Sequence, residues 1–100
     1  MFIVRGTATF APGEVERLRD QLVEYVRYVR SIDGCIDYCY AVDLHDRSTV
    51  HVIEAWRDHA AHEAYLADLS VLMDILSGTT VEQMNVNAYE AQFSKTVMKS

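Results

Sequence analysis

The sequence predicts an α+β domain in the order β-α-β-β-α-β, with one antiparallel sheet and both helices on one of its faces. Three features of the 100 residues carry this reading: stretches with the two-residue period of a strand, stretches with the three-to-four-residue period of a helix, and turn or breaker residues between them.

Phe2 to Phe10 mixes β-branched and aromatic residues and stops at Ala11-Pro12-Gly13, so it reads as the first strand. A helix follows. From Glu14 onward Val15, Leu18, Leu22, Val26, Val29 and Ile32 recur at spacings of three and four, opposite Glu16, Arg17, Arg19, Asp20, Arg27 and Arg30. The helix runs for about five turns and ends at Asp33-Gly34, where glycine accepts a left-handed conformation. Cys35 to Leu44 alternates as a strand, with Ile36, Tyr38, Tyr40 and Val42 on one face and Cys35, Asp37, Cys39 and Ala41 on the other. Both faces are half apolar, so both are expected to be covered. His45-Asp46-Arg47-Ser48 is turn chemistry, and Thr49 to Trp56 resumes the strand pattern, which makes the pair a hairpin. Asp58 caps a second helix marked by Ala61, Tyr65 and Leu69, followed near Ser70 by a short helical piece that ends at Ser77-Gly78. Thr79 to about Phe93 reads as the last strand.

This order is the split β-α-β, or ferredoxin-like, arrangement, and it leaves one sheet face bare. On the third strand His51, Ile53 and Ala55 alternate with Val50, Val52, Glu54 and Trp56, so neither face is polar enough to lie in water. Two chains are therefore expected to place their open faces together as a homodimer, a dimeric α+β barrel. Residues 1–100 read as one domain with a core at about 2–93, and 94–100 as a tail that is loose or crosses to the partner.

Composition narrows the function. A chain this short buries only about 60–70% of the surface its unfolded form exposes, which also favours self-association. The net charge is −6 and the nine Lys and Arg are scattered from Arg5 to Lys99, so no nucleic-acid partner is expected. No apolar run approaches the roughly 20 residues that span a bilayer, and MFIVRGTATF lacks the pattern of a signal peptide; no membrane association and a cytoplasmic location are expected. Cys35 and Cys39, four apart on a strand, are about 13 Å from each other, too far for a disulfide, and read as buried thiols. They form no metal signature, and His51, His59 and His62 lack the HExxH pattern, so no metal is expected. Glycine-rich phosphate loops, nucleophile elbows and dinucleotide fingerprints are absent too.

The chemistry concentrates in TVHVIEAWRDHAAHEAYL, residues 49–66. Glu54 sits mid-strand among apolar residues, where burial raises a carboxyl's pKa and suits it to proton abstraction; the structural alternative ties it to Arg5 or Arg57. Trp56 ends that strand, so its ring can fill the space between sheet and helices while its N–H reaches a ligand or a carbonyl. His62 lies nearer the buried stripe of the second helix than His59, which belongs to the exposed first turn, and is the candidate base or hydrogen-bond donor. Tyr38, Tyr40 and Tyr65 would line a pocket on the helix side with phenols, with Tyr25 and Tyr28 on the first helix.

Three stretches, APGEVERL in the first loop, RSIDGCIDYCYAVDLHDRSTVHVIEAW through the hairpin, and the tryptophan followed nine residues later by Tyr65-Leu66, together resemble the antibiotic biosynthesis monooxygenase family, which includes quinol monooxygenases. The specific part is GC-xx-Y, an Asp-bearing turn and E-x-W, in that order. The resemblance implies a dimeric α+β barrel that oxidises a small electron-rich aromatic substrate, such as an anthrone, quinol or polyketide-like phenol, with O2 and without metal, flavin or other cofactor. It places Glu54 and Trp56 at the E-x-W positions, with Glu54 or His62 as the base and Trp56 holding the ring. Tyr65 stands where many members have histidine and Val52 where some have asparagine, which makes both candidate substrate contacts. Haem degradation is a minor option, because that branch needs an asparagine the first strand lacks. A non-catalytic dimeric ligand-binding domain, or a non-redox enzyme such as an isomerase on the same barrel, is equally compatible with E-x-W.

Overall fold

A computed structural model describes residues 1–100 and orders the elements as β1 (Phe2–Phe10), α1 (Glu14–Arg30), β2 (Cys35–Val42), β3 (Thr49–Trp56), α2 (His59–Leu66), α3 (Ser70–Leu76) and β4 (Val81–Glu90). The four strands form one open antiparallel sheet in the order β2-β3-β1-β4, with β1 paired to both β3 and β4. This is the expected α+β, ferredoxin-like fold.

Local chemistry explains the joints. Gly13 takes φ 81° at the start of α1 and Gly34 takes φ 86° between α1 and β2, both in the left-handed region that glycine enters at least cost. The Gly34 carbonyl accepts a 2.8 Å hydrogen bond from Arg57 N, which pins the end of β3 against the start of β2. Asp58 caps α2, its side chain accepting from Ala61 N at 2.8 Å.

Alternation along the strands decides what faces the helices. Phe2, Val4, Ala8 and Phe10 of β1, Tyr38 of β2, and Val50, Glu54 and Trp56 of β3 are buried on that side, against Val15, Leu18, Tyr25 and Val29 of α1 and Ala61 and Tyr65 of α2. The residues between them, including Ile3, Thr7, His51, Ile53 and Ala55, are only half-buried and make up the bare face.

Four expectations need correction. In β2, Cys35 pairs opposite Trp56 and Asp37 opposite Ala55, so Ile36 is an inserted residue and stands 59% exposed rather than sharing a face with Tyr38. The bulge turns Cys35 toward the core, and both cysteines are free and half-buried, not fully buried. The α1 stripe includes Tyr25, which is buried where Val26 is only partly so. Finally, β4 ends at Glu90, and no helix or strand follows in Ala91–Ser100, where Phe93, Val97 and Met98 are 70%, 84% and 89% exposed. No helix of the chain is long and apolar enough to cross a membrane.

Candidate functional site

A cavity of about 310 Å³ lies between the sheet and the helices. Its floor is the helix-facing side of the sheet, Ala8 and Phe10 from β1, Tyr38 and Tyr40 from β2, and Val50, Val52 and Glu54 from β3. Tyr65 and Leu66 of α2, Leu69, and Leu72 and Leu76 of α3 form its roof, and Leu22 comes from α1. Met84 and Val86 complete the wall along β4 and are 58% and 38% exposed, so the cavity opens at that edge. Glu54 is the only charged residue in the lining; everything else is apolar or phenolic.

The sequence candidates therefore divide into two groups. Glu54, Tyr38, Tyr40, Tyr65 and Val52 line the cavity, while Trp56 and His62 stand behind it. Trp56 is wholly buried, stacked on Tyr65 with ring centroids 4.9 Å apart. Its indole N–H donates to Glu54 Oε1 at 2.9 Å, so the partner of that N–H is a side chain of the same strand and not a ligand. His62 is buried between Phe2 and Trp56, with ring centroids 5.1 and 5.9 Å away, and its Nε2 is 3.9 Å from Glu54 Oε1. His59 is exposed and accepts or donates at 3.0 Å with Glu63, as its place in the first turn of α2 predicts.

Neither arginine expected of Glu54 is near it. Arg57 is directed outward between Asp33 and Asp58, and Arg5 is exposed on the opposite sheet face. Without a cation, desolvation dominates: burial pushes the Glu54 carboxyl above its ordinary range, and the Trp56 hydrogen bond opposes that only in part. Burial likewise holds His62 below the usual histidine value, with the nearby His59 acting the same way and Glu63 against it. The pair is thus a carboxyl that protonates readily beside an imidazole that stays neutral. His62 Nδ1 is buried and without a partner, which marks the ring as costly to bury and sharpens its preference for neutrality.

The sign of the His62 effect follows from that. The unfolded chain takes up its histidine proton near pH 6.5, whereas the folded one resists, so stability falls as the pH drops below about 6.5. Replacing His62 with leucine should flatten this limb: melting curves between about pH 7 and pH 5.5 should show a smaller loss for His62→Leu than for the wild type.

The phenols form a chain. Tyr25 and Tyr65 hydroxyls are 2.6 Å apart, Tyr65 and Tyr38 3.0 Å, and Tyr38 is hydrogen-bonded in turn to Tyr40. Burial raises the pKa of all four, so they remain protonated donors at neutral pH. No group of three or more His, Cys, Asp or Glu side chains comes together in a way that could hold a metal ion.

Composition and spacing did not reveal the apolar end of the cavity. Leu66, Leu72, Leu76, Met84 and Val86 come from three elements whose approach is tertiary, and only the run of leucines after Tyr65 hinted at it.

Comparison with known proteins adds a family. The model of the antibiotic biosynthesis monooxygenases matches residues 1–69. A solved Deinococcus radiodurans protein named for the same family is 29% identical, covers 99% of this chain and 100% of its own, and superimposes with a TM-score of 0.86. A Pseudomonas aeruginosa structure is 26% identical over 92% of this chain and 94% of its own, with a TM-score of 0.75. A Nitrosomonas europaea structure at 13% identity, with 93% and 100% of the two chains covered and a TM-score of 0.81, shares the fold. No curated protein matches in sequence.

Proposed function

Because this chain belongs to the antibiotic biosynthesis monooxygenase family, we propose that it is a monooxygenase that oxidises a small electron-rich aromatic substrate with O2, working without metal or flavin. The single observation that carries the reading is Glu54: a buried carboxyl with no cation, in an otherwise apolar cavity, whose pKa burial raises, which makes its carboxylate a stronger base toward a phenol or the methylene of an anthrone.

In this mechanism Glu54 takes a proton from the substrate and the electron-rich anion left behind reduces O2. The two combine to a carbon-bound peroxide, which recovers the proton from Glu54. The remaining hydrogen on that carbon then leaves as a proton, its electron pair forms the carbonyl as the O–O bond breaks, and the departing hydroxide takes up a proton to leave as water. Trp56 and His62 act on Glu54 instead of the substrate: the indole N–H holds Oε1 in place and the imidazole keeps a neutral ring against it. Val52, Tyr38, Tyr40 and Tyr65 are the proposed contacts of the aromatic ring. The apolar walls exclude water, which would otherwise solvate and weaken the base.

The reading is tested with an oxygen electrode, chelator-treated protein and a panel of anthrones and hydroquinones. Uptake well above the no-protein control is expected for at least one class, and a whole panel at the control rate would remove the oxygenase.

We further propose a cytoplasmic homodimer closed through the bare face of Ile3, Ile53 and Ala55, to which the exposed tail carrying Phe93 would add. Light scattering should then give about 23 kDa, twice the 11.4 kDa chain, and a stable 11.4 kDa species would contradict the barrel.

A further inference from the structure

The four tyrosine hydroxyls carry one hydrogen more than they can use. They are joined by three links, Tyr25 to Tyr65, Tyr65 to Tyr38 and Tyr38 to Tyr40, and none of the four makes another hydrogen bond. Each link consumes one hydrogen, so one of the four is left without an acceptor in the protein.

Where that hydrogen goes depends on what meets each end of the chain. Tyr25 borders an open groove between α1 and α3, whereas Tyr40 borders the apolar cavity. Each link can run either way, and an anion in the cavity selects the inward order, Tyr25 donating to Tyr65, Tyr65 to Tyr38 and Tyr38 to Tyr40. The free O–H then belongs to Tyr40, which lines the cavity that also holds Glu54.

We propose that this tyrosine chain is an oxyanion donor, which holds the ionised oxygen of a phenol or enol in the cavity through Tyr40, with Tyr25 as a positioning residue acting through Tyr65 and Tyr38. Each hydroxyl that accepts a hydrogen bond donates a stronger one, and the last meets a negative charge, where hydrogen bonds are strongest. The charge balance is simple. The ligand's O–H bond breaks, its proton passes to the Glu54 carboxylate, and the electron pair stays on the ligand oxygen; one negative charge moves from Glu54 to the donor chain and none is added. The inference rests on the cavity being the substrate site proposed above, but it requires neither O2 nor turnover.

The experiment measures binding of para-nitrophenolate, with para-nitroanisole as the control that has the same ring and cannot ionise. It is done in the Glu54→Gln protein, which lacks the competing carboxylate, at a pH where the free probe is ionised. Adding Tyr40→Phe should weaken the phenolate by about tenfold or more, and adding Tyr25→Phe, one ring removed from any ligand contact, by about threefold, while the anisole changes by less than about twofold. On the protein without tyrosine substitutions, the slowly exchanging hydroxyl-proton resonances should shift on adding phenolate and not on adding anisole, which provides a readout should Tyr25→Phe fail to fold. If both probes weaken together, or if the phenolate is indifferent to the tyrosines and the hydroxyl resonances stay put, the donor chain is wrong although the cavity remains a binding site. Binding of neither probe would overturn the substrate site itself, and the donor with it.

Discussion

Glu54→Gln should lose oxygen consumption by about 100-fold or more and, at neutral pH, unfold at a higher temperature than the wild type. The two effects share one cause. Burial raises the folded-state pKa of Glu54, so below about pH 4.5 the group is protonated in both folded and unfolded chains and carries no penalty. As the pH rises through the folded value, the native state must either hold its proton or bury a charge, and stability falls. Glutamine removes that cost while its carbonyl still accepts from Trp56 Nε1. The expected gain at pH 7 is about 1 kcal/mol, or roughly 4–8 °C for a domain of this size, and it should vanish below about pH 4.5. Calorimetry across pH beside an oxygen electrode checks both; a variant that is inactive but destabilised at neutral pH would make Glu54 a structural residue.

Trp56→Phe should be the more damaging substitution for the fold. The indole is wholly buried, stacks on Tyr65 and supplies the one hydrogen bond Glu54 has. Phenylalanine keeps an aromatic ring but leaves Oε1 bare, which costs about 1.5–3 kcal/mol for a bond to a charged group, plus the void. Alanine would cost about 3–5 kcal/mol, a large part of what a small domain has to lose. Because the Trp56 bond is what lowers the Glu54 pKa against desolvation, the Phe variant should also shift the acid limb of the rate profile to higher pH. A limb that stays in place would show that Trp56 does not control the base.

Much of this was legible in the residues, and the gaps have physical causes. β1 and β3 fall where their alternation and breakers put them, because a half-buried strand in mid-sheet has no freedom to slip without turning its apolar set to the wrong face. β2 did not read correctly, since strict alternation has no place for the inserted Ile36. In α1 the spacing Val15, Leu18, Leu22, Tyr25, Val29 runs three, four, three, four, a better stripe than the one through Val26, because a tyrosine ring packs as an apolar body. The partner of Glu54 was also within reach. Residues two apart on a strand share a face, so Trp56 was always closer to Glu54 than Arg5 or Arg57. The cavity's open end was not legible, because it depends on how α3 and β4 approach each other across the sheet.

The bare face and the cavity lie on opposite sides of the same sheet, which separates their consequences. A substitution on the Ile3, Ile53 and Ala55 side would bear on the proposed dimer, whereas one at Val52, Glu54 or Tyr40 would bear on the proposed substrate, although all but Tyr40 belong to the two central strands.

The central claim is that Glu54 deprotonates an aromatic substrate so that it can react with O2. The most direct measurement follows an anthrone with wild-type and Glu54→Gln protein in parallel, recording oxygen consumed, quinone formed and hydrogen peroxide released. The wild type should consume one O2 for each quinone formed without accumulating peroxide, and Glu54→Gln should fall to the rate of the buffer. A wild type no faster than buffer, or a glutamine variant as fast as the wild type, would contradict it.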